Sequence, residues 1–296
     1  MTIGISDPKG ERSEMADGVM KVGFIGLGDI GLPMAKRIVT GGFETTVCGH
    51  VRRAPIEEMK KVGAHEAKTP KEVAQASDAT IIMVQNDKQA EEVIFGPPGL
   101  LEGVKKGNGI VLMGTFSPAF CRKVAESANP KGVDVFDAPV VGARMGAEAG
   151  TLGISVGGNK DALEKYRHVL ERLGKITYCG HLGMGQIVKL VNNMAAIINA
   201  RVAYEAIAWG IRNGATEELL VNHMKNGSGG SFVVQNWGWL KSMMTDPPPP
   251  TYYVGAKDLS YALAIAHEIG QPCPIAGLVC ELQLMGPPKL PETSKK

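Results

Sequence analysis

Lys189 is the residue most in need of a reason. It interrupts the apolar run Ile187-Val188-Lys189-Leu190-Val191, in a stretch too apolar to face water on every side. Asn192 and Asn193 follow three and four residues on, so in a helix they share a face with Lys189 and present amides beside its ammonium. A lysine snorkelling to the surface beside two asparagines would leave the same pattern. Gly183 and Gly185 favour the first reading, because they place the patch at a helix start, where a second domain would meet a ligand cleft. Another candidate is the glycine-rich segment 137–152, DAPVVGARMGAEAGTL, which leaves the carboxyl end of a strand, where open parallel sheets bind ligands. Gly142 lets backbone N–H groups approach a substrate carboxylate and Arg144 adds charge, although a plain crossover loop has the same composition. Lys257 and Asp258 open KDLSYALAIAHEIG; Asp258 near a helix start is ordinary dipole complementation, and Lys257 alone says little.

A binding turn stands upstream of all three. The apolar run 22–25 leads into Gly26-Leu27-Gly28-Asp29-Ile30-Gly31, a G-x-G-x-x-G placed where a helix begins. Gly26 permits the tight bend, Gly28 lets backbone approach a pyrophosphate, and Gly31 lets helix and strand pack closely, while free N–H groups at the helix start favour the anion. Pro33 falls in the first turn, where its missing N–H costs nothing. With 38 glycines in the chain such turns arise by chance. Strand, glycines and helix in the right order nonetheless favour a dinucleotide.

The elements that must position these groups follow from periodicity. Short apolar runs at 45–48, 80–84, 109–113, 133–137, 152–156 and 176–178 predict strands. Helical spacing at 55–62, 70–76, 88–94, 118–128 and 161–173 alternates with them, which is the pattern of a parallel sheet covered on both faces. From 184 to 211 apolar residues occupy nearly every face, predicting a buried helix roughly 40 Å long that joins two domains. Helices are further predicted at 217–225, 233–243 and 257–269, and 246–250, DPPPP, as an extended connector. The expected plan is an α/β fold: an extension over 1–20 with Met15 as an alternative start, an N-terminal Rossmann-type doubly wound parallel sheet over 21–180, an all-α C-terminal domain over 181–285 and a tail over 286–296. The apolar excess of 184–211 predicts a homodimer or homotetramer.

Composition narrows the function. A net charge of +2 without a basic stripe, and 5% aromatic residues, give nucleic-acid binding little support. Five cysteines without a C-x-x-C pair predict reduced thiols and a cytoplasmic protein. No apolar run reaches the roughly 18 residues of a membrane span, and the six histidines have no metal-ligand spacing.

Four blocks in order, GFIGLGDIGLPMA (23–35), DAPVVGARMGAEAGTL (137–152), GMGQIVKLVNN (183–193) and KDLSYALAIAHEIGQPCP (257–274), resemble the β-hydroxyacid dehydrogenase family. That family includes 3-hydroxyisobutyrate dehydrogenases and tartronate semialdehyde reductases. The resemblance implies an NAD(P)-dependent oxidoreductase for a small β-hydroxy acid or its semialdehyde. It makes Lys189 the catalytic lysine and Asn193 the residue that orients substrate. Gly142 and Ala143 become backbone donors, and Lys257 lines the cleft. It puts Thr115 near the nicotinamide and the backbone of Val84, Gln85 and Asn86 beside the cofactor. The chemistry asks for such groups: alcohol oxidation needs a proton removed as hydride leaves, reduction needs an acid, and a partly buried lysine serves both. The imine reductases share the architecture but commonly lack the lysine, and a non-catalytic NADP-binding protein would need neither Lys189 nor Asn193. Two departures stand out. Val141 and Ala143 replace the serine and second glycine of the family's DAPVSGG, so a substrate-contacting hydroxyl is missing. After the second strand, Cys48-Gly49-His50-Val51-Arg52-Arg53 lacks the acid that binds the ribose of NAD. Arg52 and Arg53 beside His50 suit the 2′-phosphate of NADP, which is favoured over NAD; they can equally be solvated charges at a helix start.

Overall fold

The computed structural model describes residues 20–49 and 52–291. His50 and the expected extension, apart from Met20, therefore lie outside the described residues. Nine strands form one sheet: β1 Val22–Ile25, β2 Thr45–Cys48, β3 His65–Ala67, β4 Ala79–Ile82, β5 Gly109–Leu112, β6 Asp134–Asp137, β7 Val140–Val141, β8 Leu152–Gly157 and β9 Gly174–Gly180. The first six lie in the order β3-β2-β1-β4-β5-β6, all parallel. Chain direction across the sheet reverses between β1 and β4, which opens a crevice at their carboxyl ends. β8 runs antiparallel to β6 and β7, and β9 runs parallel to β8. The sheet is thus parallel through β6 and mixed beyond it.

Helices α1 Gly31–Thr40, α2 Ala54–Lys61, α3 Pro70–Gln75, α4 Asp87–Phe95, α5 Pro118–Ala128, α6 Ala143–Ala149 and α7 Lys160–Leu170 accompany the strands. Alternation along the strands divides the apolar side chains between two cores. Val22, Phe24, Ile81 and Val111 join one with Met34 and Ile38 of α1; Ile25, Ile82, Ile110 and Leu112 join the other with Val124 of α5. Side-chain caps at Thr69, Asn86, Ser117 and Asn159 start α3, α4, α5 and α7.

The helical part comprises α8 Met184–Arg212, α9 Glu217–Asn226, α10 Phe232–Gln235, α11 Trp237–Met243, α12 Val254–Glu268 and α13 Pro274–Leu284. The helix predicted over 233–243 is broken at Asn236, and α12 begins three residues before Lys257. Residues 246–249 are non-helical as expected, while Pro250 opens a short 3-10 turn, a position that needs no N–H. At 29 residues, α8 runs through the whole helical part. Tyr204, Ile207 and Ile211 pack with Val234, Trp237 and Leu240, and Met194 and Ile197 pack beside Leu259 and Val279.

The expected all-round burial of α8 is not found. Its outer face leaves Val191 65%, Val202 57% and Trp209 71% exposed, because α9–α13 cover one side of the rod only. No helix among the described residues is long and apolar enough to cross a membrane.

Candidate active site

The glycine turn stands at the crevice between β1 and β4. Gly26 has φ +106, and a Cβ there would lie 2.2 Å from the Met83 carbonyl oxygen; at Gly31 it would lie 1.9 Å from the oxygen of Gly26. Both positions exclude any side chain. At Gly28 a Cβ would meet nothing within 4 Å, so the backbone there faces open space. Helix α1 has no side-chain cap and no acid in its first turn; the Leu32 N–H donates to the Gly28 carbonyl at 3.0 Å and Pro33 has no N–H, so the donors left there for an anion are those ahead of Leu32. Val84 and Gln85 follow β4 beside the turn. The residues present fit a dinucleotide whose pyrophosphate rests on α1.

A buried carboxylate fixes the start of α8. Asp137, at the end of β6, accepts hydrogen bonds from the N–H groups of Gly183 at 2.7 Å and Gln186 at 2.7 Å. Burial nevertheless holds its pKa above the ordinary carboxylate range, with the backbone donors opposing the shift. Gln186 donates to the Gly114 carbonyl at 2.9 Å and accepts from the Phe116 N–H at 3.1 Å, tying α8 to the loop after β5. A Cβ on Gly185 would lie 2.2 Å from the Ser155 carbonyl oxygen, so glycine is what lets the helix approach β8. Sequence reasoning misses the roles of Asp137 and Gln186. The available signal was a lone acid closing an apolar strand and a glutamine at an apolar helix start.

Lys189 projects toward the sheet, not into solvent as a snorkelling lysine would. Its Nζ donates to the Val140 carbonyl of β7 at 2.6 Å. Its pKa is lowered to about 8, chiefly by burial, with Asp258 opposing the shift and Lys257 adding to it. Asn193 donates to Oδ2 of Asp258 at 2.5 Å and accepts from Asn192 at 3.1 Å. Asp258 is therefore no exposed dipole partner as expected from its position. It is 3% exposed, with Oδ1 3.0 Å from Lys257 Nζ in an ion pair. Lys257 also donates to the Thr115 carbonyl at 2.8 Å. Tyr261, one turn on in α12, accepts from the Asp87 N–H at 3.2 Å. The structure thus gathers Lys189, Asn193, Lys257 and the Thr115 backbone around Asp258. A hollow of about 350 Å³ lined by Arg122, Glu126, Asn129 and Leu182 includes none of them.

Gly142 takes φ 122, and Ala143 φ 52 is the sole non-glycine residue in the left-handed region among the described residues. That bend starts α6 at once, with Arg144 as its second residue. Its Nη1 donates to Asp29 of the glycine turn at 2.8 Å and its Nε to Glu148 at 2.7 Å. Val141 pairs with Gly153, where a Cβ would lie 2.7 Å from its Cγ2. Arg53, at the start of α2, binds Glu66 and, at 2.7 Å, Glu57. Its guanidinium is taken up by protein carboxylates, whereas Arg52 is exposed and has no ion-pair partner among the described residues.

Residues 21–183 match the NAD binding domain of 6-phosphogluconate dehydrogenase, and 183–288 match the NAD-binding domain of NADP-dependent 3-hydroxyisobutyrate dehydrogenase. The chain is 31% identical over 270 residues to the NAD-dependent L-serine dehydrogenase of Pseudomonas aeruginosa, covering 88% of this chain and 90% of that one. It is 34% identical over 266 residues to the 2-hydroxy-3-oxopropionate reductase of Escherichia coli, covering 89% and 90%. Among solved structures, 3-hydroxyisobutyrate dehydrogenase from Salmonella typhimurium shares the fold, with a TM-score of 0.80 at 23% identity over 90% and 93% of the two chains. Sheet, glycine turn and matches together define an NAD(P)-dependent oxidoreductase acting on CH–OH donors. Within that class, the chain belongs to the β-hydroxyacid dehydrogenase family.

Replacing Asp137 by alanine leaves two buried N–H groups unpaired. Relief of the carboxylate's own desolvation offsets part of the loss, so unfolding free energy in urea is expected to fall by about 2–4 kcal/mol. Asp137→Asn, which keeps one acceptor, should lose less. Equal stability of Asp137→Ala and wild type would contradict the clamp.

Proposed function

We propose that the protein interconverts a small β-hydroxy acid and its semialdehyde, with Lys189 exchanging the substrate proton. The observation that carries this reading is a desolvated lysine whose pKa is lowered to about 8, held by one carbonyl beside an amide and acid pair. The nicotinamide, when bound, supplies or accepts the hydride. Neutral Lys189 removes the hydroxyl proton in oxidation; its ammonium donates the proton in reduction and stabilises the developing alkoxide. Asn193, fixed by Asp258, orients the substrate, and Lys257 lines the cleft beside Thr115. Gly142 and Ala143 offer N–H groups to the substrate carboxylate. Val141 supplies an apolar wall in place of a hydroxyl, which favours a substrate bulkier or less polar there than the smallest semialdehydes. A screen of hydroxy acids and aldehydes, read by nicotinamide absorbance, tests this choice; full efficiency on 3-hydroxypropionate or tartronate semialdehyde would reject it.

Lys189→Ala should lower turnover by about a hundredfold or more while cofactor affinity holds. The pH profiles have opposite signs. Oxidation needs the neutral amine, so its rate should rise with pH to a plateau above about 8; reduction needs the ammonium and should fall as pH rises through the same value. Unchanged turnover, or profiles of the same sign, would remove Lys189 from the reaction.

For the cofactor we favour NADP, with Arg52 meeting the 2′-phosphate and Arg53 held back by its carboxylates. Arg52→Ala should weaken NADP and leave NAD unchanged, with a smaller effect from Arg53→Ala. Equal losses for both cofactors would reject the assignment.

We also propose that the exposed face of α8, with Val191, Val202 and Trp209, is covered in a homodimer or homotetramer. Sedimentation at micromolar concentration should show an assembly that Trp209→Ser weakens. A wild-type protein that sediments as a monomer would exclude it.

A further inference from the structure

We propose that Arg144 is a cofactor-binding residue: it neutralises Asp29 at the glycine turn and carries its remaining guanidinium N–H groups to the pyrophosphate of the dinucleotide. The inference needs only the dinucleotide site and stands or falls independently of the roles given to Lys189 and Arg52.

Position comes first. Asp29 lies between the second and third glycines of the turn, immediately before Ile30, the N-cap of α1. Arg144 Nη1 is 2.8 Å from Asp29 Oδ1, which brings the guanidinium to the uncapped helix end where a pyrophosphate would rest. Open space at Gly28 lies one residue away.

Charge makes the pair necessary. A pyrophosphate bears two negative charges, and a bare Asp29 carboxylate beside it would oppose binding. Arg144, shared with Glu148, offsets the field of that carboxylate at the turn. A guanidinium has five N–H donors in a fixed fork; Asp29 and Glu148 engage Nη1 and Nε, so donors remain for phosphate oxygens. The pair is more than half exposed on both sides, and exposed pairs contribute little to stability. Stability therefore does not account for it.

The arginine is also well anchored. Glu148 holds its Nε from one turn along α6, and α6 is fastened to α1 by Arg37. Arg37 Nη1 donates to the Glu148 carbonyl at 3.1 Å and its Nε to the Arg172 carbonyl at 3.0 Å. A Cβ on Gly150 would come within 2.3 Å of the Arg37 guanidinium, so close packing there depends on glycine. Arg144 is thus carried on a helix fastened to α1, the helix that opens at the glycine turn.

Direct titration of NADP and of NAD into the full-length protein, by calorimetry or protein fluorescence, tests the assignment. Arg144→Ala should weaken both cofactors by about five- to tenfold, a loss that shrinks as salt is raised. Arg144→Lys, which keeps charge without the fork, should recover part of it. Asp29→Asn should tighten both cofactors, because the opposing carboxylate is gone. Melting temperatures should match wild type for all three. Equal loss for the two cofactors separates Arg144 from any residue that reads the 2′-phosphate. Unchanged cofactor affinity in Arg144→Ala would overturn the proposal, as would weaker binding by Asp29→Asn. An increase in substrate KM with cofactor affinity intact would overturn it too, by returning Arg144 to the substrate carboxylate.

Discussion

The carboxylate of Asp137 against the first turn of α8 is the contact on which the site depends. A buried anion is costly, and burial does raise the pKa of this one. Two backbone donors and the positive end of a long helix offset the cost. Gly157 and Gly185 make room: a Cβ on either would come within 2.8 Å of an Asp137 carboxylate oxygen. From Gln186, locked to the loop after β5, Lys189 is less than one turn away. The lysine therefore inherits its position from the sheet through rigid helix.

A second constraint is electrostatic. Lys189 and Lys257 flank the buried acid Asp258, so with both lysines charged these three groups carry an excess positive charge that suits an anionic substrate. Asp258 cannot serve both cations and Asn193 equally. It holds the amide at 2.5 Å and the Lys257 ammonium at 3.0 Å, and acts on Lys189 through space. Desolvation outweighs that attraction, and the net result is a lysine near its point of half-protonation at mildly alkaline pH.

Much of this was legible in the sequence because it rests on local rules. The apolar runs that became β2, β4, β5 and β6, the glycine turn, and α8 are each specified by pattern within a few neighbours. What escaped depends on tertiary placement. β3, His-Glu-Ala, is a short edge strand with two exposed residues and no apolar signature. β7 has only two residues, too few for any periodicity. Asp258 near a helix start looks identical whether it meets water or a buried asparagine, and only the antiparallel packing of α12 on α8 decides. Charge alone does not name the partners of Arg53 and Arg144: Glu57 and Glu148 stand one helical turn away, but Glu66, and above all Asp29, 115 residues from Arg144, are brought up by the fold. Hydrophobicity showed that α8 was greasier than its own helices could cover. It could not show which side would be left bare.

Ala143 has one more consequence. A left-handed alanine costs on the order of 1 kcal/mol relative to glycine, yet it also narrows the conformations open to the chain when disordered. Two consecutive glycines at 142 and 143 would form a swivel that a ligand must freeze before contacting it. With a methyl at the second position the bend leaving β7 is set in advance, so less ordering entropy stands against any group that docks on its amides.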